Sequence, residues 1–317
     1  MAVARSTADP IAALAGELVV LDGALATQLE RRGADLRDPL WSAKCLLEQP
    51  EMIRAVHLEY FRAGAQVATT ATYQASFEGF ARRGIGHGAA AALMLRAVEL
   101  AAEAREQYCS LAAPGASRPL IAASIGPYGA MLADGSEYRG HYALSDRELE
   151  AFHRARLELL AGSGADLVAF ETIPCLREAR ILADLLARHP GTTAWLSFSC
   201  RDGERNCEGE SIAQCAAALR DHPQISAVGI NCTAPRHVAQ LLRRMRDETG
   251  KPLIAYPNAG QNYDASSKRW VGAHAPFALQ AAQWVRSGAR LIGGCCGTSP
   301  EDIAALRAVL TSERARG

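Results

Sequence analysis

The stretch Leu291-Ile292-Gly293-Gly294-Cys295-Cys296-Gly297-Thr298 joins an apolar run to two adjacent cysteines. The apolar residues predict a buried strand, and the glycines predict a loop that bends sharply before the next helix. Two thiols at the end of a strand can share a soft metal ion, because Zn²⁺ binds thiolates in a tetrahedron. A second apolar run, 228–231, also ends in a cysteine, Cys232. Cys232 is therefore a candidate third ligand.

Composition narrows the class of protein. Hydrophobic residues make up 49% of the 317 residues, which supports a substantial core. Lysine plus arginine equals aspartate plus glutamate, 34 each, and this balance argues against nucleic acid or an anionic membrane as a general partner. No apolar run reaches the ~18 residues of a membrane span. Residues 1–10 lack the apolar core of a signal peptide, so we expect a cytoplasmic location.

The chain has nine cysteines, an odd number, and no sign of secretion. Structural disulfides are therefore not expected. For a single cysteine such as Cys45, Cys109 or Cys215, the simplest interpretation is a small buried hydrophobic residue.

Eight short apolar segments predict strands. They are residues 18–21, 66–73, 120–125, 166–170, 193–199, 226–230, 252–256 and 290–294. Strands that alternate with helices indicate a parallel sheet, and eight such units favour a closed barrel. No G-x-G-x-x-G follows the first strand, which argues against a Rossmann fold. We predict an α/β fold in which residues 1–317 form a single eight-stranded parallel β/α barrel of the TIM type.

Helical patterns separate most of these strands. They cover residues 8–17, 50–63, 89–108, 146–161, 176–188, 211–219, 235–250 and 301–310, with two further runs that end near 32 and 288. Residues 126–145 form a long loop rich in glycine and tyrosine, and a loop of this length in a compact domain is usually functional or disordered.

The conspicuous polar and glycine residues all follow strand ends. In a parallel barrel these ends meet at one face, where active sites lie. The residues are Asp22, Gly23, Thr70, Thr72, Ser124, Glu171, Asn231, Cys232, Asn258, Cys295 and Cys296. Strands six and eight flank strand seven, so Cys232 can reach the cysteine pair. Three thiolates leave one tetrahedral position open, which is typical of a catalytic zinc site.

Each feature taken alone also has a plainer explanation. Cys232 can be a core residue, and Cys295-Cys296 can be a chance pair or a vicinal disulfide. Asp22 can begin a turn, and Asn258 can belong to an ordinary loop. Glu171 is harder to explain this way, because a carboxylate directly after an apolar strand is seldom buried without a partner.

Four motifs together resemble the homocysteine S-methyltransferase family. They are Leu21-Asp22-Gly23-Ala24-Leu25-Ala26-Thr27, Phe170-Glu171-Thr172, Gly229-Ile230-Asn231-Cys232 and Gly293-Gly294-Cys295-Cys296-Gly297. The resemblance covers nearly the whole chain, and the cysteine spacing is its most specific part. It implies an eight-stranded β/α barrel, zinc bound by the three cysteines, and methyl transfer to the homocysteine thiol.

The resemblance also implies roles for the substrate-binding residues. Glu171, together with the backbone and side chain around Asp22 and Gly23, would hold the amino-acid end of homocysteine. We predict that the remaining substrate-binding residues are Ala24, Thr70, Thr72, Ser124, Asn231 and Asn258.

The methyl donor is the finer question. The chain has no room for folate and cobalamin modules, and it ends soon after its last helix, unlike the betaine branch. Residues 124–129 and 256–270 resemble the branch that uses S-methylmethionine or S-adenosylmethionine. We expect S-methylmethionine first, since it is the smaller donor and no adenosine-binding fingerprint is evident.

Zinc with three thiolates and a homocysteine thiolate carries excess negative charge, which would attract a cationic sulfonium. Residues 127–142 are a candidate lid, in which Tyr128, Tyr138 and Tyr142 can cover the sulfonium, because aromatic faces attract cations. Two rival functions remain: a methyltransferase for another thiol or selenol such as selenohomocysteine, and a metal-sensing or thiol-redox protein. The oligomeric state is left open between a monomer and a small homo-oligomer.

Overall fold

The computed structural model describes residues 9–11, 17–36, 40–113, 116–260, 262–264, 269–271 and 278–314. For Trp41, 262–264, 269–271 and Arg314 it describes the backbone alone. Most of the helix predicted at 8–17 lies outside these residues, as does part of the predicted donor segment 256–270.

Eight parallel strands form the central barrel. They are β1 (Val19–Val20), β2 (Val67–Thr69), β3 (Leu120–Ile125), β4 (Leu167–Ile173), β5 (Ala194–Phe198), β6 (Ile225–Asn231), β7 (Leu253–Tyr256) and β10 (Ala289–Ile292). Their order in the sheet is β1-β10-β7-β6-β5-β4-β3-β2. A parallel bridge between Leu21 and Val67 joins the two ends of this order and closes the ring. The predicted TIM-type barrel is thereby confirmed.

The observed strands match the eight predicted segments, with small differences at their ends. The largest difference is in β2, which ends at Thr69 although a strand was expected to continue to residue 73. Beyond Thr69, the Thr70 amide still donates to the Ala122 carbonyl at 3.0 Å, and the hydroxyls of Thr70 and Thr72 bond to each other and to β3. A further pair of strands, β8 (Asn262–Asp264) and β9 (Arg269–Val271), forms an antiparallel hairpin after β7 that was not predicted.

Helices follow the strands and cover the outside of the barrel. They are α1 (Leu25–Arg31), α2 (Cys45–Glu48), α3 (Pro50–Arg62), α4 (Phe77–Ala81), α5 (His87–Leu111), α6 (Tyr128–Leu132), α7 (Asp146–Ala161), α8 (Leu176–Leu186), α9 (Ile212–Leu219), α10 (Pro235–Arg246), α11 (Ala278–Arg286) and α12 (Pro300–Arg314). Two 3₁₀ turns, Trp41–Lys44 and Ser136–Tyr138, lie in the loops. None of the helices described in the structure combines the length and apolar character needed to cross a lipid bilayer.

Alternate strand residues face the barrel interior, because side chains along a strand point to opposite faces. One buried cluster contains such residues from several strands, among them Ala169, Trp195 and Ile254. Glu171 lies two positions beyond Ala169 and therefore continues the same inward face at the C-terminal end of β4. The other strand face packs against the helices in a larger apolar cluster. This alternation places the polar strand ends together at one mouth of the barrel.

Candidate active site

The structure brings the three predicted cysteines together at the C-terminal mouth of the barrel. The sulfurs of Cys232 and Cys296 lie 3.7 Å apart, and those of Cys295 and Cys296 lie 4.0 Å apart. All three sulfurs lie within 4.8 Å of one another. A tetrahedral zinc ion with bonds of about 2.3 Å requires sulfurs about 3.8 Å apart. The donor set and its spacing therefore fit such an ion.

Backbone hydrogen bonds fix the loop that carries the cysteine pair. The amide of Gly294 donates to the Asp22 carbonyl at 3.0 Å, and the amide of Cys295 donates to the Pro257 carbonyl at 2.8 Å. A Cβ atom on Gly294 would lie 2.4 Å from the Thr298 hydroxyl. Glycine is required there because the backbone packs so closely against its neighbour.

The three thiols shift the pKa values of one another. Hydrogen bonding with Cys232 and Cys296 lowers the pKa of the Cys295 thiol well below its usual range. Hydrogen bonding with Cys232 and Cys295, together with burial, raises the pKa of Cys296 well above its usual range. The cluster therefore concentrates negative charge on one sulfur, and thiolates are the form that binds zinc.

A cavity of about 690 Å³ opens beside the thiols. Its wall includes all three cysteines and several of the predicted substrate-binding residues: Asp22, Gly23, Ala24, Thr70, Glu171 and Asn231. Thr72, Ser124 and Asn258 do not contribute to the wall. Direct contact between these residues and a substrate stays a prediction.

Two buried carboxylates lie in this wall. Asp22 accepts hydrogen bonds from the Thr69 amide at 2.8 Å and from the Thr69 hydroxyl at 3.2 Å. Glu171 accepts hydrogen bonds from the hydroxyls of Ser124 and Tyr256. Burial raises the pKa of Asp22 well above its usual range and raises the pKa of Glu171 to about 7. Within the part of the chain that the structure describes, neither carboxylate has a basic partner, so a ligand cation can supply the missing charge.

Thr70, Thr72 and Ser124 form a hydrogen-bonded group behind Glu171. The hydroxyls of Thr70 and Thr72 lie 2.7 Å apart, and the Thr72 hydroxyl donates to the Ser124 carbonyl at 2.7 Å. The Ser124 amide donates to the Thr70 hydroxyl at 3.1 Å. This group fixes the end of β3 and so places the Ser124 hydroxyl against the Glu171 carboxylate.

Gly23 and Ala24 form a close contact between the first and last loops. The Ala24 amide donates to the Thr298 hydroxyl at 3.1 Å. A Cβ atom on Gly23 would lie 2.7 Å from the same hydroxyl and 2.9 Å from the ring of Tyr60. The Asp-Gly sequence therefore allows the chain to turn beside the cysteine loop.

Asn258 lies outside the cavity wall. The backbone amide of Asn258 donates to the Thr233 carbonyl at 3.1 Å. The side-chain oxygen is buried and has no hydrogen-bond partner among the residues described. This side chain is consequently available to a ligand or to the segment that follows it.

The cavity wall also contains residues that were not assigned to the site from sequence, among them Thr69, Tyr73, Glu137 and Tyr256. Tyr256 is held by Ser197, whose hydroxyl lies 2.6 Å from the Tyr256 oxygen, and by Trp195, which donates to that oxygen at 3.0 Å. The sequence offered one signal for two of these residues, namely their position at strand ends. Thr69 directly precedes the predicted site residue Thr70, and Tyr256 ends β7.

The three tyrosines of the candidate lid have different positions. The Tyr138 hydroxyl lies 3.1 Å from the sulfur of Cys232, and Tyr138 lines the cavity. Tyr128 instead packs edge-to-face against Tyr142 and Phe152, with ring centroids 5.2 and 5.1 Å apart. Of these three tyrosines, Tyr138 is the one placed beside the thiols.

Comparison with known proteins identifies the family. Residues 19–310 match the family described as homocysteine S-methyltransferase. The chain belongs to the homocysteine S-methyltransferase family. It is 52% identical over 290 residues to homocysteine S-methyltransferase YbgG of Bacillus subtilis, covering 90% of this chain and 92% of that protein. The resemblance seen in the four motifs is confirmed, and the chain is a methyltransferase that acts on homocysteine.

Two further comparisons bear on the chemistry of the homocysteine S-methyltransferase site. The crystal structure of the homocysteine methyltransferase MmuM from Escherichia coli in its metallated form superposes with a TM-score of 0.86 at 47% identity, covering 94% of this chain and 98% of that one. A selenocysteine methyltransferase of Astragalus bisulcatus is 43% identical over 318 residues, covering 94% of each chain.

Proposed function

We propose that Cys232, Cys295 and Cys296 hold one zinc ion and that the protein transfers a methyl group from a sulfonium donor to L-homocysteine, giving methionine. One observation carries this proposal: three sulfurs at tetrahedral spacing share a cavity with two buried carboxylates that have no basic partner among the residues described. We further propose that residues 1–317 act as one barrel domain.

The choice of zinc rests on the chemistry of the donors. Thiolates favour soft ions, and a site of three cysteines leaves one tetrahedral position for a substrate. Among the residues that the structure describes, no other group of three candidate ligands has its donor atoms this close together. When bound, zinc would deprotonate the homocysteine thiol at neutral pH and hold its sulfur in the cavity.

Glu171 and Asp22 would bind the ammonium group of homocysteine. Ser124 and Tyr256 orient the Glu171 carboxylate, and Thr69 orients the Asp22 carboxylate. An ammonium in this position favours the ionised carboxylates against the effect of burial. Charge-assisted hydrogen bonds of this kind fix the orientation of the bound homocysteine and also strengthen its binding.

The transfer itself needs no protein acid. The homocysteine thiolate sulfur attacks the methyl carbon of the sulfonium, and a new sulfur–carbon bond forms as the donor's sulfur–methyl bond breaks. The electron pair of the broken bond stays on the donor sulfur, which leaves as a neutral thioether. The negative charges of the thiolates, Asp22 and Glu171 would attract the sulfonium. S-Methylmethionine is the proposed donor ahead of S-adenosylmethionine, with Asn258 available to its polar tail.

A selenol is a second candidate acceptor. The relative named selenocysteine methyltransferase supports it, because that protein shares 43% identity over 94% of this chain. Parallel assays with homocysteine and selenocysteine at equal concentrations would rank the two acceptors.

The proposal is tested with reduced, zinc-loaded protein, S-methylmethionine and homocysteine. Each transfer should give two methionines, one from the demethylated donor and one from the acceptor. Removal of the metal with a chelator should abolish the activity, and zinc should restore it. A zinc-loaded protein that binds homocysteine but yields no methionine with any sulfonium donor would contradict the proposal and favour a metal-sensing or thiol-redox role.

A further inference from the structure

Glu137 is a cavity residue with no role in the chemistry described above. It lies in the 3₁₀ turn Ser136–Tyr138 and contributes to the wall of the cavity. The Ser199 hydroxyl donates to the Glu137 carbonyl at 3.1 Å, which fixes this turn against β5. The next residue, Tyr138, places its hydroxyl 3.1 Å from the sulfur of Cys232. The turn therefore places Glu137 in the cavity wall, next to the residue that contacts Cys232.

One oxygen of the Glu137 carboxylate lacks a partner. Its Oε2 atom is enclosed and makes no hydrogen bond within the described part of the chain, where no ion pair involves Glu137 either. The neighbouring Arg139 donates to the Ser136 hydroxyl and faces Asp134 at 3.6 Å. Burial raises the pKa of Glu137 to about 7, although a hydrogen bond from its own backbone amide and the charge of Arg139 oppose the rise. A buried carboxylate oxygen without a hydrogen-bond donor is costly, and a cationic ligand with N–H groups would remove that cost.

Glu137 is also separate from the carboxylates proposed to bind homocysteine. Asp22 and Glu171 both lie close enough to Cys295 for its charge to raise their pKa values. The charges of Glu137 and Cys232 raise the pKa values of Tyr73 and Tyr138, and the charge of Glu171 also raises that of Tyr73. Neither Asp22 nor Glu171 is among the charges that shift the pKa of Glu137. Glu137 is therefore a further carboxylate of the cavity, in the turn that contacts Cys232 through Tyr138.

This arrangement matches a reaction between two amino acids that meet at their sulfur atoms. Resting on the proposed sulfonium donor, we propose that Glu137 binds the α-ammonium group of that donor and selects donors that carry one. The ammonium offers three N–H donors to the unpartnered carboxylate oxygen, whereas the sulfonium offers none. Tyr73 and Tyr138 then lie where aromatic rings can contact the sulfonium.

The test compares two donors in two variants. The donors are S-methylmethionine and its analogue without the α-amino group, (3-carboxypropyl)dimethylsulfonium. Glu137→Gln should raise KM for S-methylmethionine by about 10- to 100-fold, the loss of a charged hydrogen bond, and leave kcat/KM for the analogue unchanged. Zinc content and KM for homocysteine should stay at parent values. Asp134→Asn is the matched control, because it removes the same charge from the same loop at an exposed position.

The outcomes separate this inference from the proposed function. If Glu137→Gln lowered kcat/KM equally for both donors, the role of Glu137 would be structural. If kcat/KM for S-methylmethionine were unchanged, Glu137 would have no role in donor binding. If the parent transferred methyl from neither sulfonium, the proposed function would fail. Calorimetric titration of S-methylmethionine into parent and Glu137→Gln would then decide this inference alone, since equal affinities, or no binding to either, would overturn it.

Discussion

The side-chain amide of Asn231 holds Thr172 through two hydrogen bonds of 2.7 Å, one from the Thr172 amide and one to the Thr172 hydroxyl. Thr172 and Cys232 both have positive φ, 62° and 47°. Such backbone conformations cost about 1–3 kcal/mol each and persist only where the surroundings enforce them. Because Asn231 joins β4 to β6 directly beside Cys232, this pair fixes the position of the Cys232 sulfur.

Asn231→Ala should therefore weaken zinc binding as well as the fold. Removal of the amide leaves the Thr172 N–H buried without a partner, which should lower the free energy of unfolding by about 1–3 kcal/mol. Urea unfolding measures the first effect, and competition with a chelator measures zinc affinity. Ser197→Ala is the control, since it removes a 2.9 Å hydrogen bond to the same amide but leaves both bonds to Thr172. If the Asn231→Ala protein bound zinc as tightly as the parent, the hydrogen bonds between Asn231 and Thr172 would not position Cys232.

Changing any one of Cys232, Cys295 and Cys296 to alanine should remove most zinc and most activity. The expected stoichiometry is one zinc per chain, because these three sulfurs form one cluster. Metal analysis after gel filtration gives the zinc content, and circular dichroism checks the fold. Cys109→Ala is the control, because Cys109 is a half-buried free cysteine on α5. A Cys295→Ala protein with a full equivalent of zinc and full turnover would show that the metal site lies elsewhere.

The barrel fold and the proximity of the three cysteines could both be predicted from the sequence. Apolar runs and helical periodicity are local signals, and parallel strands deliver all their C-terminal ends to one face. Cys232 and Cys296 were therefore expected to be neighbours although 64 positions separate them in the chain. The same reasoning placed Glu171 and Asp22 at that face.

Other parts of the site depend on side-chain packing between loops. The contact of Tyr138 with Cys232 requires the 3₁₀ turn at 136–138, which is fixed by Ser199, the residue that follows β5. Likewise, Tyr256 reaches Glu171 only because Ser197 and Trp195 hold its hydroxyl. No periodicity in the sequence reports such contacts. The β8–β9 hairpin was also missed, since its three-residue strands are too short to give a pattern.

Glu171→Gln should weaken homocysteine binding more than it alters zinc content. The change removes a charged hydrogen bond to the substrate ammonium worth about 1.5–3 kcal/mol, or about 10- to 150-fold in KM for homocysteine. Glutamine keeps the shape of the side chain and can still accept from Ser124, so the fold should be unaffected. Steady-state kinetics with homocysteine as the varied substrate gives KM. The assignment fails if KM is unchanged, or if the parent accepts thiols without an amino group equally well.

His57 should make the protein sensitive to acid. This side chain on α3 is fully buried, and neither ring nitrogen has a hydrogen-bond partner among the residues described. Burial lowers its pKa to about 4, against 6.5 for an exposed histidine. Between these two values the unfolded chain binds a proton that the folded chain does not bind. Stability should therefore fall as the pH falls from 6.5 to 4, by about 3 kcal/mol from this residue.

His57→Leu should reduce that loss, because it removes the titrating group and keeps an apolar side chain in the same place. The measurement is urea unfolding at several pH values with chelator present, so that zinc release does not contribute. His87→Gln, a change at an exposed histidine, serves as the control. An identical pH dependence in parent and His57→Leu would show that other groups cause the acid sensitivity.

The final prediction concerns the order of the methyl donors. With homocysteine as acceptor, kcat/KM should be highest for S-methylmethionine, lower for S-adenosylmethionine, and lowest for betaine and methyltetrahydrofolate. Both sulfoniums carry a positive charge that suits the thiolates and buried carboxylates of the cavity, and both leave as neutral thioethers. Methyltetrahydrofolate has no such charge.

Betaine carries a quaternary ammonium beside its carboxylate, but its nitrogen has no N–H group to donate to a buried carboxylate. The two sulfoniums differ in size, and the smaller needs no adenosine site, so S-methylmethionine is placed first. Initial rates with each donor at subsaturating concentration give the ranking directly. Betaine or the folate as the best donor would overturn the sulfonium assignment and leave the zinc site standing. S-Adenosylmethionine as the best donor would reverse only the order of the two sulfoniums, because both share the charge that the cavity recognises.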